Sequence, residues 1–259
     1  MKFYQYQNVK ELLVEIFQSQ KVTDENGLSY ELHSHTGIDQ GLLLQRIIKE
    51  IKPKKSLEIG LAYGISSLFI LEALEEIRGN KCIHYIFDPS PDIYWNNIGL
   101  HNIKKAKYEH LVSFHKVLSE DGLIDLITRK ERIQFAYIDS TKVFDVLLVD
   151  FYLINKLLDV GGVIIFDDCG FPGIRKLVRY ISKLPFYEIY ATYHQDKETL
   201  KKSNIKAFAS FILRNMPFSK KVFPGLNFTT DQKNRINFHC IAFRKKAEDN
   251  RSWDWSIDF

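Results

Sequence analysis

Ser56-Leu57-Glu58-Ile59-Gly60-Leu61-Ala62-Tyr63-Gly64-Ile65-Ser66-Ser67 is the stretch on which the reading of this chain turns. Pro53-Lys54-Lys55 interrupts what precedes it, so Ser56 to Ile59 reads as a short buried strand. Gly60 and Gly64 bracket a tight loop. From Ile65 onward Leu68, Phe69, Leu71, Ala73, Leu74 and Ile77 recur at helical spacing, which predicts a helix. A strand, a glycine loop and a helix N-terminus form a nucleotide-binding corner, because glycine lets a ligand approach the backbone and free N–H groups face it. The pattern is E-x-G-x-x-x-G with Glu58 inside the strand, and it lacks the three-glycine dinucleotide fingerprint. Glycines at a strand–helix turn are also common as purely structural elements. The rest of the chain decides between the two.

Upstream, Leu12, Leu13, Ile16 and Phe17 give residues 9–19 one apolar helical face. A polar loop from Thr23 to Thr36 follows and contains His33-Ser34-His35. If that segment is extended, the two histidines point the same way and could bind a metal; a contact with substrate from a lid, or a solvated loop, are the other readings. Asp39 to Ile51 forms the next helix, which leads through Pro53 into the glycine corner.

Downstream, Cys82 to Phe87 is a second strand ending at Asp88-Pro89. An acid at that strand end is placed to accept hydrogen bonds from ribose hydroxyls; an Asp capping the turn before Pro89 is the plainer reading. A helix is expected over about Tyr94 to Lys107 and a strand over Leu111 to Val117. Ser119 caps a helix to about Thr128, and a strand over Ile133 to Ile138 ends at Asp139. Lys142 to Val160 reads as a long helix stopped by Gly161-Gly162. Val163 to Phe166 is apolar throughout, as a strand buried on both faces is, and it ends at Asp167-Asp168. A helix over Ile174 to Lys183 and strands over Phe186 to Thr192 and Phe238 to Lys245 complete the pattern. The basic, aromatic segment from His194 to Ile236 shows no periodicity.

Alternating strands and helices imply an α/β fold with a doubly wound, mostly parallel sheet. Ligands of such sheets bind beyond the carboxyl ends of the strands. Gly60, Asp88, Asp139 and Asp167-Asp168 all fall at those ends and would line one crevice. The fourth and fifth strands would lie ~4.8 Å apart, so their terminal carboxylates repel unless protonated or bridged by a cation. Oxygen-only ligands favour a hard ion such as magnesium, manganese or calcium.

The 259 residues, 45% of them hydrophobic, suffice for one large domain with a substantial core. A net charge of +4 spread along the whole length gives no footprint for nucleic acid. Three separated cysteines, Cys82, Cys169 and Cys240, show no metal spacing and suit a reducing cytoplasm. No apolar run approaches the ~18 residues of a membrane span, and the polar opening Met1 to Gln7 shows no signal peptide.

Leu57-Glu58-Ile59-Gly60-Leu61-Ala62-Tyr63-Gly64-Ile65-Ser66 resembles motif I of class I S-adenosylmethionine-dependent methyltransferases. Tyr137-Ile138-Asp139 and Gly161 to Asp168 resemble their small-molecule O-methyltransferase branch, which includes the catechol-type enzymes and the bacterial macrolide-sugar enzymes. The similarity spans about residues 36 to 193. It implies a Rossmann-like sheet of seven strands with the last antiparallel, in a single domain. Residues 1–52 would supply N-terminal helices and a lid, 53–193 the cofactor-binding core, 194–236 an insertion capping the acceptor pocket, and 237–259 the last strand and a tail.

The resemblance further implies that S-adenosylmethionine is held by Glu58, Gly60, Tyr63, Gly64, Ser66, Asp88, Ser119 and Asp139. The catechol-type enzymes carry their ribose-binding acid two residues before Asp88, where Ile86 stands here. Asp139, Asp167 and Asp168 fall where the metal-dependent members hold magnesium. The bacterial relatives read Asp-Gly-x-His after the fourth strand; this chain reads Asp139-Ser140-Thr141-Lys142, and the catechol-type enzymes use a lysine at that offset as base. A lysine must lose its proton to serve. A neighbouring cation would lower its pKa, and three aspartates would raise it.

The expected reaction is direct displacement of the sulfonium methyl by an acceptor hydroxyl, with Asp139 and Lys142 catalytic, a divalent ion assisting, and His33 and His35 near the substrate. The acceptor would be a sugar, polyketide or phenolic compound. Nucleic acid and membrane are not expected as partners, and a homodimer is. A decayed binding protein on the same fold and a metal-free N-methyltransferase are the competing readings. A nicotinamide dehydrogenase would want a tighter glycine spacing.

Overall fold

Lys55–Ile59 (β3) lies at the centre of a sheet, and its last four residues are buried. The structure is a computed structural model that describes residues 10–78, 81–193 and 239–259. Around β3 the chain runs α1 (Glu11–Ser19), β1 (Lys21–Thr23), β2 (Ser29–Glu31), α2 (Ile38–Ile51), then after β3 α3 (Ile65–Arg78), β4 (Ile83–Phe87), α4 (Pro91–Trp95), α5 (Ile98–Lys105) and β5 (Val112–His115). It continues through α6 (Ser119–Thr128), β6 (Ile133–Ile138), α7 (Phe144–Leu157), β7 (Leu158–Phe166), α8 (Pro172–Ile181), β8 (Tyr187–Tyr193) and β9 (Cys240–Lys245).

Seven strands form one sheet in the order β5-β4-β3-β6-β7-β9-β8. The first five are parallel, and β9 runs antiparallel to both β7 and β8. This is the doubly wound, Rossmann-like sheet that the alternating pattern implied. Alternate residues of each strand face opposite layers. Phe135, Tyr137, Val163 and Ile165 pack with α1, α2, α3 and α5, whereas Leu57, Ile138, Ile164 and Phe166 pack with α6, α7 and α8. A side chain such as Leu57, wholly shielded, contributes about 1.5–3 kcal/mol.

Register is what builds the site. Ile59 pairs with Phe87 on one side and Ile138 on the other, and Ile138 pairs with Phe166. The next residue of each strand, Gly60, Asp88, Asp139 and Asp167, therefore stands in one row at the carboxyl edge.

Four local readings are corrected. Thr23 to Thr36 is not a plain loop: β1 and β2 form a hairpin, closed by Asp24, whose Oδ1 accepts from the Asn26 and Leu28 amides at 3.0 and 2.9 Å. The expected helix over 94–107 is two helices, because Asn96 and Asn97 both adopt left-handed conformations at φ of 50° and 55°. Ser119 does not cap α6 with its side chain; it is the first helical residue, behind Leu118. Gly161-Gly162 does not end α7, which stops at Leu157; the pair sits in the early part of β7, where the register against β6 shifts and Gly161 takes φ +88°. The expected pocket cap at 194–236 lies outside the described residues. Among those described, no helix is long and apolar enough to cross a membrane.

Candidate active site

The glycine loop is shaped by its neighbours. Gly60 has φ +94°, and a Cβ there would lie 2.2 Å from the Asp139 carbonyl oxygen, so the end of β6 itself demands glycine. Gly64, at φ +72°, would bring a Cβ to 3.0 Å from the Gly99 carbonyl of α5. Between them Ala62 takes φ +47°, uncommon for a residue with a side chain. Asp88 fastens this loop: its Oδ2 accepts from the Leu61 amide at 2.9 Å and the Ala62 amide at 3.4 Å, and its Oδ1 accepts from Ser90 at 3.0 Å. Two residues earlier Ile86 is fully buried and offers no acid.

Glu58 is shielded from solvent and turned toward α3. The Ser66 and Ser67 hydroxyls donate to it, and His84 Nε2 lies 3.2 Å away, with the other ring nitrogen 2.9 Å from Ser56 Oγ. Glu58 and Ser66 thus tie strand to helix. Tyr63 is buried beneath a cluster of rings: its hydroxyl lies 2.9 Å from His33 Nε2, and Trp95 meets it edge-on at 4.8 Å between centroids.

At the acidic end Lys142 Nζ lies 2.8 Å from Asp139 Oδ1 and 2.9 Å from Asp168 Oδ2. Burial draws the lysine pKa down, but the two carboxylates outweigh it and hold the ammonium above its ordinary range. Burial and the nearby Asp167 charge push Asp139 up to about 7, against the pull of Lys142. Asp167 is almost fully buried and well anchored: its Oδ2 accepts from the Tyr137 hydroxyl at 2.7 Å and its Oδ1 from the Asp168 amide at 2.7 Å. Gln40 Nε2 donates to the same tyrosine oxygen at 3.1 Å, and Thr36 Oγ1 lies 3.4 Å from it. Asp168 holds φ +53°, a conformation that costs a non-glycine residue of the order of 1 kcal/mol. Across from these acids, His239 Nε2 sits 3.6 Å from Asp167 Oδ1 and 4.0 Å from Asp168 Oδ1.

The two ends meet at a cavity of about 20 Å³ lined by Ser34, His35, Thr36, Gly60, Tyr63, Ser66 and Asp139, among others. That is room for one water. His33 and His35 do not converge, since Ser34 between them is left-handed at φ +46°. His33 joins the rings over Tyr63. His35 approaches the Phe17 ring, its buried Nδ1 makes no hydrogen bond among the described residues, and burial holds its pKa below the ordinary value.

Residues 57–169 match the family described as "Methyltransferase domain". That segment is a methyltransferase domain. Tapetum-specific methyltransferase 1 of Arabidopsis thaliana is 32% identical over 132 residues, 51% of this chain and 53% of that protein. Flavonoid 3',5'-methyltransferase of Vitis vinifera is 32% identical over 134 residues, 51% of this chain and 54% of its own. The chain spans about half the length of the curated relatives it matches. An O-methyltransferase structure from Bacillus cereus in complex with SAH superposes with a TM-score of 0.59 over 74% of this chain and 89% of its own, at 22% identity.

Gly60, Tyr63, Ser66 and Asp139 of the matched segment thus share one cavity with His35, which precedes that segment, while Gly64 and Asp88 build the loop behind it. Ser119 stands apart from that cavity; its hydroxyl lies close to the buried Asp150 of α7. Four residues escaped the sequence reading: Thr36, Gln40, Trp95 and His239. Only His239 left a usable signal. It directly precedes the last strand, and the start of an antiparallel strand lies at the carboxyl edge of its parallel neighbours.

Proposed function

We propose that this chain transfers the methyl group of S-adenosylmethionine to the hydroxyl of a small phenolic, sugar or polyketide compound, in a reducing cytoplasm. The observation that carries this reading is the row of Gly60, Asp88, Asp139 and Asp167 at one sheet edge, with a cavity between the glycine loop and Asp139.

The methyl is already activated on sulfur, so the protein has to align the acceptor oxygen and remove its proton. The new O–C bond forms as the S–C bond breaks, leaving S-adenosylhomocysteine. Asp167, Asp168 and His239 are hard or borderline donors that suit a divalent cation, which when bound would polarise the acceptor hydroxyl and lower its pKa. Lys142 is held charged between Asp139 and Asp168, which suits it to balance negative charge. His35 lines the same cavity and burial keeps it toward its neutral form, which suits it to accept a proton there.

Calorimetry with S-adenosylmethionine, followed by labelled-methyl transfer to a panel of hydroxyl compounds, tests the reading. His35→Gln should lower kcat by ~10²–10⁴-fold and leave cofactor affinity intact. Lys142→Met should cost distinctly less. If Lys142→Met abolishes turnover while His35→Gln does not, the base is the lysine. Tight cofactor binding with no transfer to any oxygen acceptor would leave a binding protein instead.

A further inference from the structure

His239 closes a set of metal-ligating atoms that the three strand-end aspartates alone do not form. Asp167, Asp168 and His239 each offer one donor atom, and the three lie within 4.8 Å of one another. The separations from Nε2, 3.6 and 4.0 Å, are those of ligands around an ion at about 2.0–2.3 Å from each. Asp167 is buried and pinned through both oxygens, by the Tyr137 hydroxyl and the Asp168 amide. Asp168 and His239 are about 30% exposed, so the set is not sealed from solvent.

Asp139 belongs to a different pairing. Lys142 bridges Asp139 Oδ1 and Asp168 Oδ2, so an ammonium already neutralises that side. The other oxygen of Asp168 is the one that faces His239. We propose that this chain binds a first-row transition cation through Asp167, Asp168 and His239, with Asp139 left to Lys142. Three carboxylates would favour magnesium; one imidazole among the ligands moves the preference to manganese, iron, cobalt or nickel. The proposal deepens the methyltransferase reading, on which it rests for the ion's role, by naming the ligands and the class of ion.

The test uses the full chain with MnCl2, CoCl2 and MgCl2 as probes, with S-adenosylhomocysteine affinity measured on the same samples. Cobalt and manganese should bind at least ~10-fold more tightly than magnesium. Pulsed EPR of bound Mn²⁺ should show nitrogen coupling in the native chain and none in His239→Gln. His239→Gln and His239→Ala should both lose ~10–100-fold in cobalt affinity, and Asp139→Asn should lose only a few-fold. Equal affinity for magnesium and cobalt, absence of nitrogen coupling, or a larger loss in Asp139→Asn than in His239→Gln would each overturn the assignment. The metal titrations need no turnover. A native chain that binds cobalt through His239 yet ignores S-adenosylhomocysteine would count against the methyltransferase reading alone.

Discussion

Asp150 lies fully buried on α7, and its carboxylate oxygens make no well-formed hydrogen bond among the described residues. Burial pushes its carboxyl up to about 6, although the nearby Ser119 hydroxyl favours the charged form and limits the rise. An unfolded aspartate titrates near ~3.9. The folded chain thus prefers the protonated acid, and the stability this brings is complete below the unfolded value and lost as pH rises through about 6. The difference amounts to roughly 2–3 kcal/mol. Asp150→Asn should match the native chain in urea unfolding near pH ~4 and exceed it by about that amount near pH ~8. Equal midpoints at the higher pH would mean that the folded state stabilises the ionised carboxylate. Nothing in the sequence marks Asp150 for this role: it follows Leu147 by one helical turn, at a position where an apolar residue would serve the same face.

The glycine loop and α5 are locked together through two glycines. A Cβ on Gly99 would lie 2.6 Å from the Ala62 carbonyl and 2.6 Å from Leu61 Cγ, while Gly64 needs the space above Gly99. Gly99→Ala should push the loop off Asp88, whose two bonds to Leu61 and Ala62 hold it. Such overpacking costs typically ~1–3 kcal/mol. S-adenosylhomocysteine affinity should fall by about tenfold or more, measured by calorimetry, since ~1.4 kcal/mol suffices for that. The loop was legible in the sequence because its strand, glycines and helix are contiguous. Its partner α5 was not, because Asn96 and Asn97 fit a helical pattern as well as they fit the left-handed break they form. Gly161-Gly162 misled for a related reason. Glycines mark a backbone irregularity, and only strand pairing decides whether that is a helix stop or a shift in register.

At the scale of the molecule, the row of strand ends could be read from sequence because parallel strands in a doubly wound sheet finish on the same edge. Contacts that cross from β6 to α2, or from β7 to β9, could not. Gln40 and Tyr137 are brought together only by the packing of α2 on the sheet, and His239 meets Asp167 only because β9 returns antiparallel. Among the described residues, Ser34, His35 and Thr36 border the glycine loop around a space of about 20 Å³. A ligand that fits there binds the folded chain and not the unfolded one, so it must stabilise. At a hundredfold excess over its Kd, S-adenosylhomocysteine should add about 2.7 kcal/mol. In a chain of this length each kcal/mol raises Tm by ~2–4 °C, so a rise of roughly 5–10 °C is expected in a thermal scan. A ligand larger than that space would part His33 from Tyr63, and part of the gross binding energy would go into breaking that contact. His33→Ala should therefore bind the ligand more tightly than the native chain while melting lower without it. If removing that contact instead weakens binding, His33 holds the ligand directly and the segment closes over it as a wall of the site.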